Sequence, residues 1–418
     1  MTETQSQPIR PNFHLQKIGW SVAVGGAAIL LALGVSVWRS GAWEEQRLRS
    51  IRPDELRALA AARPDDARVQ RRWAERLLER GELVEAERTF RQAAEADPSD
   101  GRAWTGWGNV TLALGRPRPA LEILKRSAEQ WPESSEAHFG AAAAYTALGD
   151  TGSALPHWRE GLRRAPRKPE AWVAFGQALE AQGETAEAER AFGKALGLRP
   201  GDRGASLGRA RCLQKLGRGG EARPLLDALL RADPSDLEAR MLLGELLIAR
   251  GDATSRGAGM KEIARAAAFH PEAPGPHRRV GELWMEDEAF PDAAQAFAQA
   301  ADREPSNETH FERAADAYLR LNLPEQARSF QQRAAEVREW KRQLERLSRE
   351  AAASPRDPRP LLEHARLCRR LQLIPEAVHD YRRVLSLQPS NKEASSELPR
   401  LERLLQTQQE ERYVVFRE

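Results

Sequence analysis

Apolar and small residues along this chain fall on pairs of short helical faces, and the pair recurs every 34 residues. Between Pro169 and Asp202 the first face carries Trp172, Phe175, Gly176 and Leu179, at spacings of three and four that place them on one side of a helix. Gly183 interrupts the run. A second face follows with Ala188, Phe192 and Ala195, and Pro200 ends it because proline cannot continue a helical hydrogen-bond ladder. The predicted unit is a helical hairpin. The same punctuation steps by 34 residues through Gly81, Gly115, Gly149, Gly183, Gly217 and Gly251, through Ala86, Ala120, Ala154, Ala188 and Ala222, and through Pro98, Pro132, Pro166, Pro200 and Pro234. Three residue types with separate physical duties thus keep one register, as expected of stacked units that each bury an apolar face only against the next. Within the hairpin, Gly176 and Ala188 are expected to face each other and let the backbones approach, while Phe192 fills the gap to a neighbouring unit. Asp100 and Asp236 stand where the following helix starts, as N-caps would.

At these positions the chain resembles the tetratricopeptide repeat family, whose pattern has W-x2-L-G-x2-Y in the first helix, then A-x3-F and a closing proline. The resemblance covers eight consecutive units over residues 67–341 and a ninth over residues 358–391, which carries Ala365, Ala377, Tyr381 and Pro389. It implies an all-α fold, an α-α superhelix or solenoid. Two departures carry expectations of their own. The sixth unit has three extra residues around Asp252 to Ala258, with Gly259 where alanine is the rule, and this predicts a longer loop. The eighth lacks its closing proline, which predicts that its second helix runs on through Trp340 and Leu347 to about Ala353, so that residues 342–357 form a helical connector. Past Lys392, the residues Leu398, Leu401, Leu404 and Leu405 predict a helix that caps the last apolar face, within a terminal segment spanning residues 392–418.

The pattern changes at the N-terminus. Residues 1–17 form a polar tail, and Ile18 to Trp38 then runs 21 residues without a charge. At ~1.5 Å per residue that length matches the ~30 Å hydrocarbon core of a bilayer, which predicts a single transmembrane helix over 18–38 and a juxtamembrane linker and helix over 39–66. A cleaved signal peptide ending near Ser40-Gly41-Ala42 is the competing reading. It fits less well, because the run exceeds the usual apolar region of ~7–15 residues and Arg39 intrudes before the site. Trp20, Trp38 and Trp43 lie near the ends of the span, where indole rings favour the interface. Arg39, Arg47, Arg49 and Arg52 outnumber Arg10 and Lys17, which leans towards a repeat array on the cytoplasmic side of a cell membrane.

Charge and motifs narrow the function classes. Lys plus Arg is 64 against 61 for Asp plus Glu, a near-balance that predicts no nucleic-acid partner. Cys212 and Cys368 lie in apolar helical stretches and read as core hydrophobes, the eight histidines are scattered, and no P-loop, HExxH or paired CxxC occurs. No metal or cofactor is expected. Gly204-Ala205-Ser206-Leu207-Gly208 fits G-x-S-x-G, but a nucleophile elbow needs a strand entering the turn and this stretch opens a helix. Neither catalytic residues nor a small-molecule substrate are therefore expected.

In the family that the chain resembles, first helices line a concave groove that holds extended or helical segments of other proteins. The fifth position of units three to six is Phe139, Val173, Leu207 and Met241, an apolar column at 34-residue spacing. It is either a stripe for an apolar peptide or a seal between adjacent first helices. Asn109, Gln177, Arg211 and Glu245, at the ninth position, offer polar groups to fix the backbone of a bound segment. The family's lysine-and-asparagine carboxylate clamp is missing, since Thr105 precedes Asn109 and the next unit presents Glu136 and Gly140. Arg203, Arg209, Arg211, Lys215, Arg218 and Arg223 make the fifth unit basic, either as a face for an acidic segment or as a solvated surface. The expected protein is a membrane-anchored scaffold that touches lipid through residues 18–38 and partner proteins through its groove. The alternatives are an assembly or quality-control factor for an envelope or secretion complex, and a non-catalytic, substrate-selecting subunit of a membrane-bound enzyme.

Overall fold

A computed structural model of the chain describes residues 42–414, among which there are 21 helices and no strand. The segment expected to cross a membrane, residues 18–38, lies outside the described residues. No helix among those described is long and apolar enough to span a bilayer. Two helices, α1 (Ala42–Ser50) and α2 (Pro53–Ala62), precede nine helix pairs. In order these are α3 (Ala67–Glu79) with α4 (Leu83–Ala96), α5 (Gly101–Ala113) with α6 (Pro117–Gln130), α7 (Ser135–Ala147) with α8 (Thr151–Arg164), and α9 (Pro169–Ala181) with α10 (Thr185–Leu198). Then come α11 (Arg203–Lys215) with α12 (Gly219–Ala232), α13 (Leu237–Ile248) with α14 (Ala253–Phe269), and α15 (Pro274–Glu286) with α16 (Phe290–Arg303). The last are α17 (Glu308–Arg320) with α18 (Pro324–Ala353) and α19 (Pro358–Arg370) with α20 (Ile374–Leu387), followed by α21 (Lys392–Val414). The chain divides into two compact units, one ending at Gly208 and one beginning at Arg209, and within each the packing follows chain order.

Local chemistry explains why each pair reverses. Gly183 takes φ +81°, in the left-handed region that glycine enters without a Cβ penalty, while Glu184 N–H donates to the Leu179 carbonyl at 2.9 Å and closes α9. The other periodic glycines from Gly81 to Gly251 have φ between 74° and 79°. In the last three pairs Glu288, Asn322 and Gln372 hold the same place, with φ of 58°, 61° and 57°. The turn therefore survives where glycine is lost, at a strain of about 1–3 kcal/mol for each side chain forced there. Asp100 accepts from the N–H groups of Arg102 and Ala103, and Asp236 from that of Ala239 at 3.0 Å, so both cap the helices that follow them.

In the first unit, α1 and α2 are part of the packed body. Leu48, Leu56 and Ala60 are buried against Val69, Trp73, Ala74 and Leu77 of α3. Arg71 is only 4% exposed, and its guanidinium reaches Glu45 at 2.7 Å, Glu75 at 2.9 Å and Asp100 at 2.7 Å. Burial opposes that charge, but the carboxylates of Glu45, Asp100 and Glu75 more than offset it and hold the group ionised. One arginine thus ties α1 and α3 to the loop entering α5. Further along, the Phe192 ring is seated against two glycines: a Cβ at Gly176 would come within 2.8 Å of it, and one at Gly208 within 2.4 Å. The three atoms nearest a Cβ at Gly176 all belong to Phe192, and the same ring reaches Gly208 of the next pair, as its expected gap-filling role requires. This aromatic wedge helps to set the hairpin spacing. Phe90 against Gly106 and Phe297 against Gly281 repeat the device.

The second unit corrects the expected long loop. Helix α14 has 17 residues, and the additional ones lengthen its N-terminal end, capped by Asp252, which accepts from Ser255 N–H at 2.8 Å. A capped helix satisfies its backbone donors better than a loop would, so the insertion is absorbed as helix. Gly259 stands opposite Gly244, where a Cβ would lie 2.6 Å from the Gly244 carbonyl oxygen, so alanine in its usual place would collide with backbone. Helix α18 runs 30 residues to Ala353 and buries Leu347 and Ala351. Helix α21 closes the unit by burying Ala394 and Leu401 with Tyr381 and Val384 of α20.

Candidate partner-binding groove

On the face formed by first helices of the first unit, α3, α5 and α7 enclose a concavity of about 910 Å³. Helical periodicity delivers its lining: Arg68, Glu75 and Leu78 from α3, Arg102, Thr105 and Asn109 from α5, and Glu136 from α7, with Trp131 at the rim. Exposed cations face it, since the Arg68 side chain is 48% and the Arg102 side chain 66% accessible, paired to Glu44 at 3.5 Å and Glu45 at 3.3 Å. Opposite them, Glu136 accepts from Lys168 at 2.7 Å and from Ser135 at 2.8 Å. Burial raises its pKa, but those donors outweigh it and keep the carboxyl below its ordinary range. The groove therefore presents fixed charges of both signs around a partly apolar floor, a surface suited to a polypeptide that carries polar groups at intervals. Thr105 contributes little polarity to that lining, being buried and hydrogen-bonded to the Gly101 carbonyl and to Ser127 Oγ, each at 2.8 Å. Asn109 lies across Gly140, where an added Cβ would stand 2.5 Å from Oδ1.

The predicted apolar column is distributed less openly than its spacing suggests. Phe139 is half-buried, its ring pressed on Gly161 and 5.8 Å from the ring of Trp158, with the Lys168 ammonium 5.5 Å away. Val173 is half-buried, and its Cγ1 lies 3.7 Å from where a Cβ of Gly204 would be. Leu207 is 3% exposed, an interior residue. Met241, in the second unit, packs against the cluster of Ile263, Val280 and Leu283. Phe139 and Val173 thus keep accessible edges, whereas Leu207 is occupied by packing. Among the polar positions, Gln177 is exposed, Arg211 is half-buried, and Glu245 is held by Arg279 at 2.5 and 3.0 Å. Part of the basic fifth unit is also neutralised locally, through Arg218–Glu221 at 2.7 Å and Arg223–Asp227 at 3.5 Å. Ser206 of the G-x-S-x-G stretch sits inside α11 at 4% exposure, so that stretch forms no nucleophile elbow.

Two groupings escaped the sequence reading. Between α8, α9 and α10 a groove of about 430 Å³ gathers Arg159, Arg163, Arg190 and Lys194 around Trp172 and Phe175, with the Lys194 ammonium 4.4 Å from the Trp172 ring. Its signal was present as cations four residues apart on two successive second helices. Among the described residues, His364, Cys368 and Asp380 also bring their ligand atoms within 4.8 Å of one another. The visible half of that signal was a histidine and a cysteine at i and i+4 on one helix.

Three family models, each described as tetratricopeptide repeat, match residues 37–196, 179–246 and 285–341. A comparison with curated proteins gives no match. Among solved structures, the chain is similar to YrrB, described as a repeat protein with an unusual peptide-binding site, at 21% identity, covering 45% of this chain and 97% of that one with a TM-score of 0.39. It is also similar to a tetratricopeptide repeat protein from Parabacteroides merdae, at 20% identity, 60% and 98% coverage and a TM-score of 0.46. A third is a thermophilic repeat protein of Thermus thermophilus, at 24% identity, 44% and 99% coverage and a TM-score of 0.36.

Proposed function

We propose that this chain, which carries tetratricopeptide repeats, is an interaction scaffold that captures segments of partner proteins on its first-helix face and holds them at a membrane. The concavity on α3, α5 and α7 carries the reading, because three successive first helices supply it with exposed charges of both signs. Phe139 and Val173 extend the partner-binding face with apolar edges, and Gln177 adds a polar one. Attachment to the bilayer rests on the uncharged run from Ile18 to Trp38, and the arginines that follow it favour a cytoplasmic position for the repeats. Since α1 and α2 are packed on α3, such an anchor would hold the first groove close to the lipid surface. Confinement to two dimensions then raises the effective concentration of weak, repeated contacts.

A photo-reactive amino acid at Arg102, compared with one at Arg91 on a second helix, tests the groove in intact cells. Crosslinks to a defined partner from position 102 and none from position 91 support it, and equal crosslinking from both sites refutes a groove-specific role. A catalytic polypeptide as that partner would make the array a substrate-selecting subunit, and components of an envelope or secretion complex would make it an assembly factor. Deleting residues 18–38 is expected to move the protein from the membrane to the soluble fraction. Retention at the membrane after the deletion refutes the anchor.

A further inference from the structure

The ninth helix pair departs from the others in the chemistry of its core. Superposing repeat positions, His364, Cys368 and Asp380 occupy the places that Phe175, Leu179 and Ala191 hold in the fourth pair, where all three are buried apolar residues. Cys368 is 1% exposed and Asp380 6%, and the His364 side chain is 19% accessible. Helix α19 presents His364 and Cys368 one turn apart on one face, and α20 brings Asp380 opposite. His364 Nδ1 lies 2.5 Å from Asp380 Oδ2 and 3.5 Å from Cys368 Sγ. A hydrogen bond from histidine accounts for the aspartate, but a thiol pointed at the same nitrogen has no packing advantage over the leucine used elsewhere.

We propose that this triad is a binding site for a divalent transition metal of the zinc class, ligated by His364 Nδ1, Cys368 Sγ and a carboxylate oxygen of Asp380, with the fourth position open to water. One nitrogen, one thiolate and one carboxylate form a donor set that tetrahedral Zn²⁺ accepts, and bond lengths of ~2.0–2.3 Å put donors ~3.4 Å apart. The separation to Cys368 already fits. That to Asp380 has to open by about 1 Å, within the reach of a side-chain rotation. The surroundings favour a cation, because a carboxylate oxygen of Asp380 lies within 4.8 Å of the thiol sulfur, and an apolar shell from Leu361, Ala377 and Tyr381 limits water. The partly accessible imidazole edge is the route in. On binding, the Cys368 thiol releases one proton to solvent and the Nδ1 proton moves to Nε2, leaving a neutral imidazole ligand.

Titration of the reduced, full-length protein with Co²⁺ provides the test. One equivalent is expected to give the visible bands of tetrahedral cobalt and a thiolate charge-transfer band in the near ultraviolet, both displaced by Zn²⁺. Cys368→Ser should abolish the charge-transfer band and weaken binding tenfold or more, Asp380→Asn should weaken it by a comparable factor, and Cys212→Ser should leave the spectrum unchanged. Circular dichroism checks that each variant is folded. Zn²⁺ should also raise the melting temperature of the unmodified protein and of Cys212→Ser, a readout that remains if Cys368→Ser does not fold. A protein that binds no Co²⁺ stoichiometrically, or a charge-transfer band that persists in folded Cys368→Ser, overturns the assignment.

Discussion

Replacing Gly176 by alanine sets two effects against each other at one carbon atom. Inside an open helix, alanine for glycine stabilises by about 0.5–1 kcal/mol, because glycine loses more backbone freedom on folding. At Gly176 the added Cβ would sit 2.8 Å from the ring of Phe192, which is fully buried and also packed against Gly208. Carbon atoms are in favourable contact near ~3.5–4.0 Å, so the ring or α9 must shift by about 1 Å. Overpacking of that kind costs about 1–3 kcal/mol, which leaves Gly176→Ala destabilising by about 0–2.5 kcal/mol, centred near 1. Gly257 supplies the opposite sign, since it lies within α14 with nothing within 4 Å of its Cβ position, and Gly257→Ala should stabilise by about 0.5–1 kcal/mol. Stacked repeats unfold with local contributions, so urea titration followed by circular dichroism is best joined to amide exchange across residues 169–198. In the double variant Gly176→Ala/Phe192→Leu the clash is relieved, and a favourable coupling of about 1 kcal/mol should appear. A Gly176→Ala protein that melts at or above the unmodified chain, with unchanged exchange in α9 and α10, would refute the aromatic wedge.

Three further outcomes are expected. Gln372→Gly should stabilise the second unit by about 1 kcal/mol, because φ of +57° strains glutamine and not glycine, whereas Gly183→Ala, at φ +81°, should lower the urea midpoint. Leu207→Glu should lower the melting temperature and helix content by forcing a charge into an interior site, while Gln177→Glu, at an exposed position, should leave both unchanged and thereby isolate any effect on partner capture. His157 is held below its usual pKa of 6.5 by burial and then by His138, whose Nδ1 is 3.2 Å from its own, and by Lys125. The unfolded chain therefore takes up the proton first as pH falls. Stability from this site is complete above about pH 6.5 and declines as acidification approaches the lower folded-state pKa. Melting temperatures measured between pH 8 and 5 should show a slope that His157→Gln flattens, and an equal slope in that variant would refute the assignment.

The repeat period, the ends of the helix pairs and the caps at Asp100 and Asp236 were all determined by the amino-acid order itself. Each depends on rules that act within a few residues: apolar spacing along one helix, glycine in a left-handed turn, a carboxylate on free N–H groups. The run-on of α18 to Ala353 belongs to the same class, since nothing in the chain stops that helix earlier. What packs against what was decided only by tertiary structure. Residues 42–62 read as a linker in isolation, yet they bury Leu48 and Leu56 and pair Glu45 with Arg71, 26 residues ahead. Leu207 shares its repeat position with Phe139 and Val173 but lies in the interior, while they keep accessible edges. His364 and Asp380 are separated by 16 residues and a reversal of the chain, and no spacing rule along one helix connects them. Helix periodicity assigns a residue to a face, whereas the atom it meets there depends on how closely two helices approach, and in this chain bulky rings seated against bare glycine backbones set that distance.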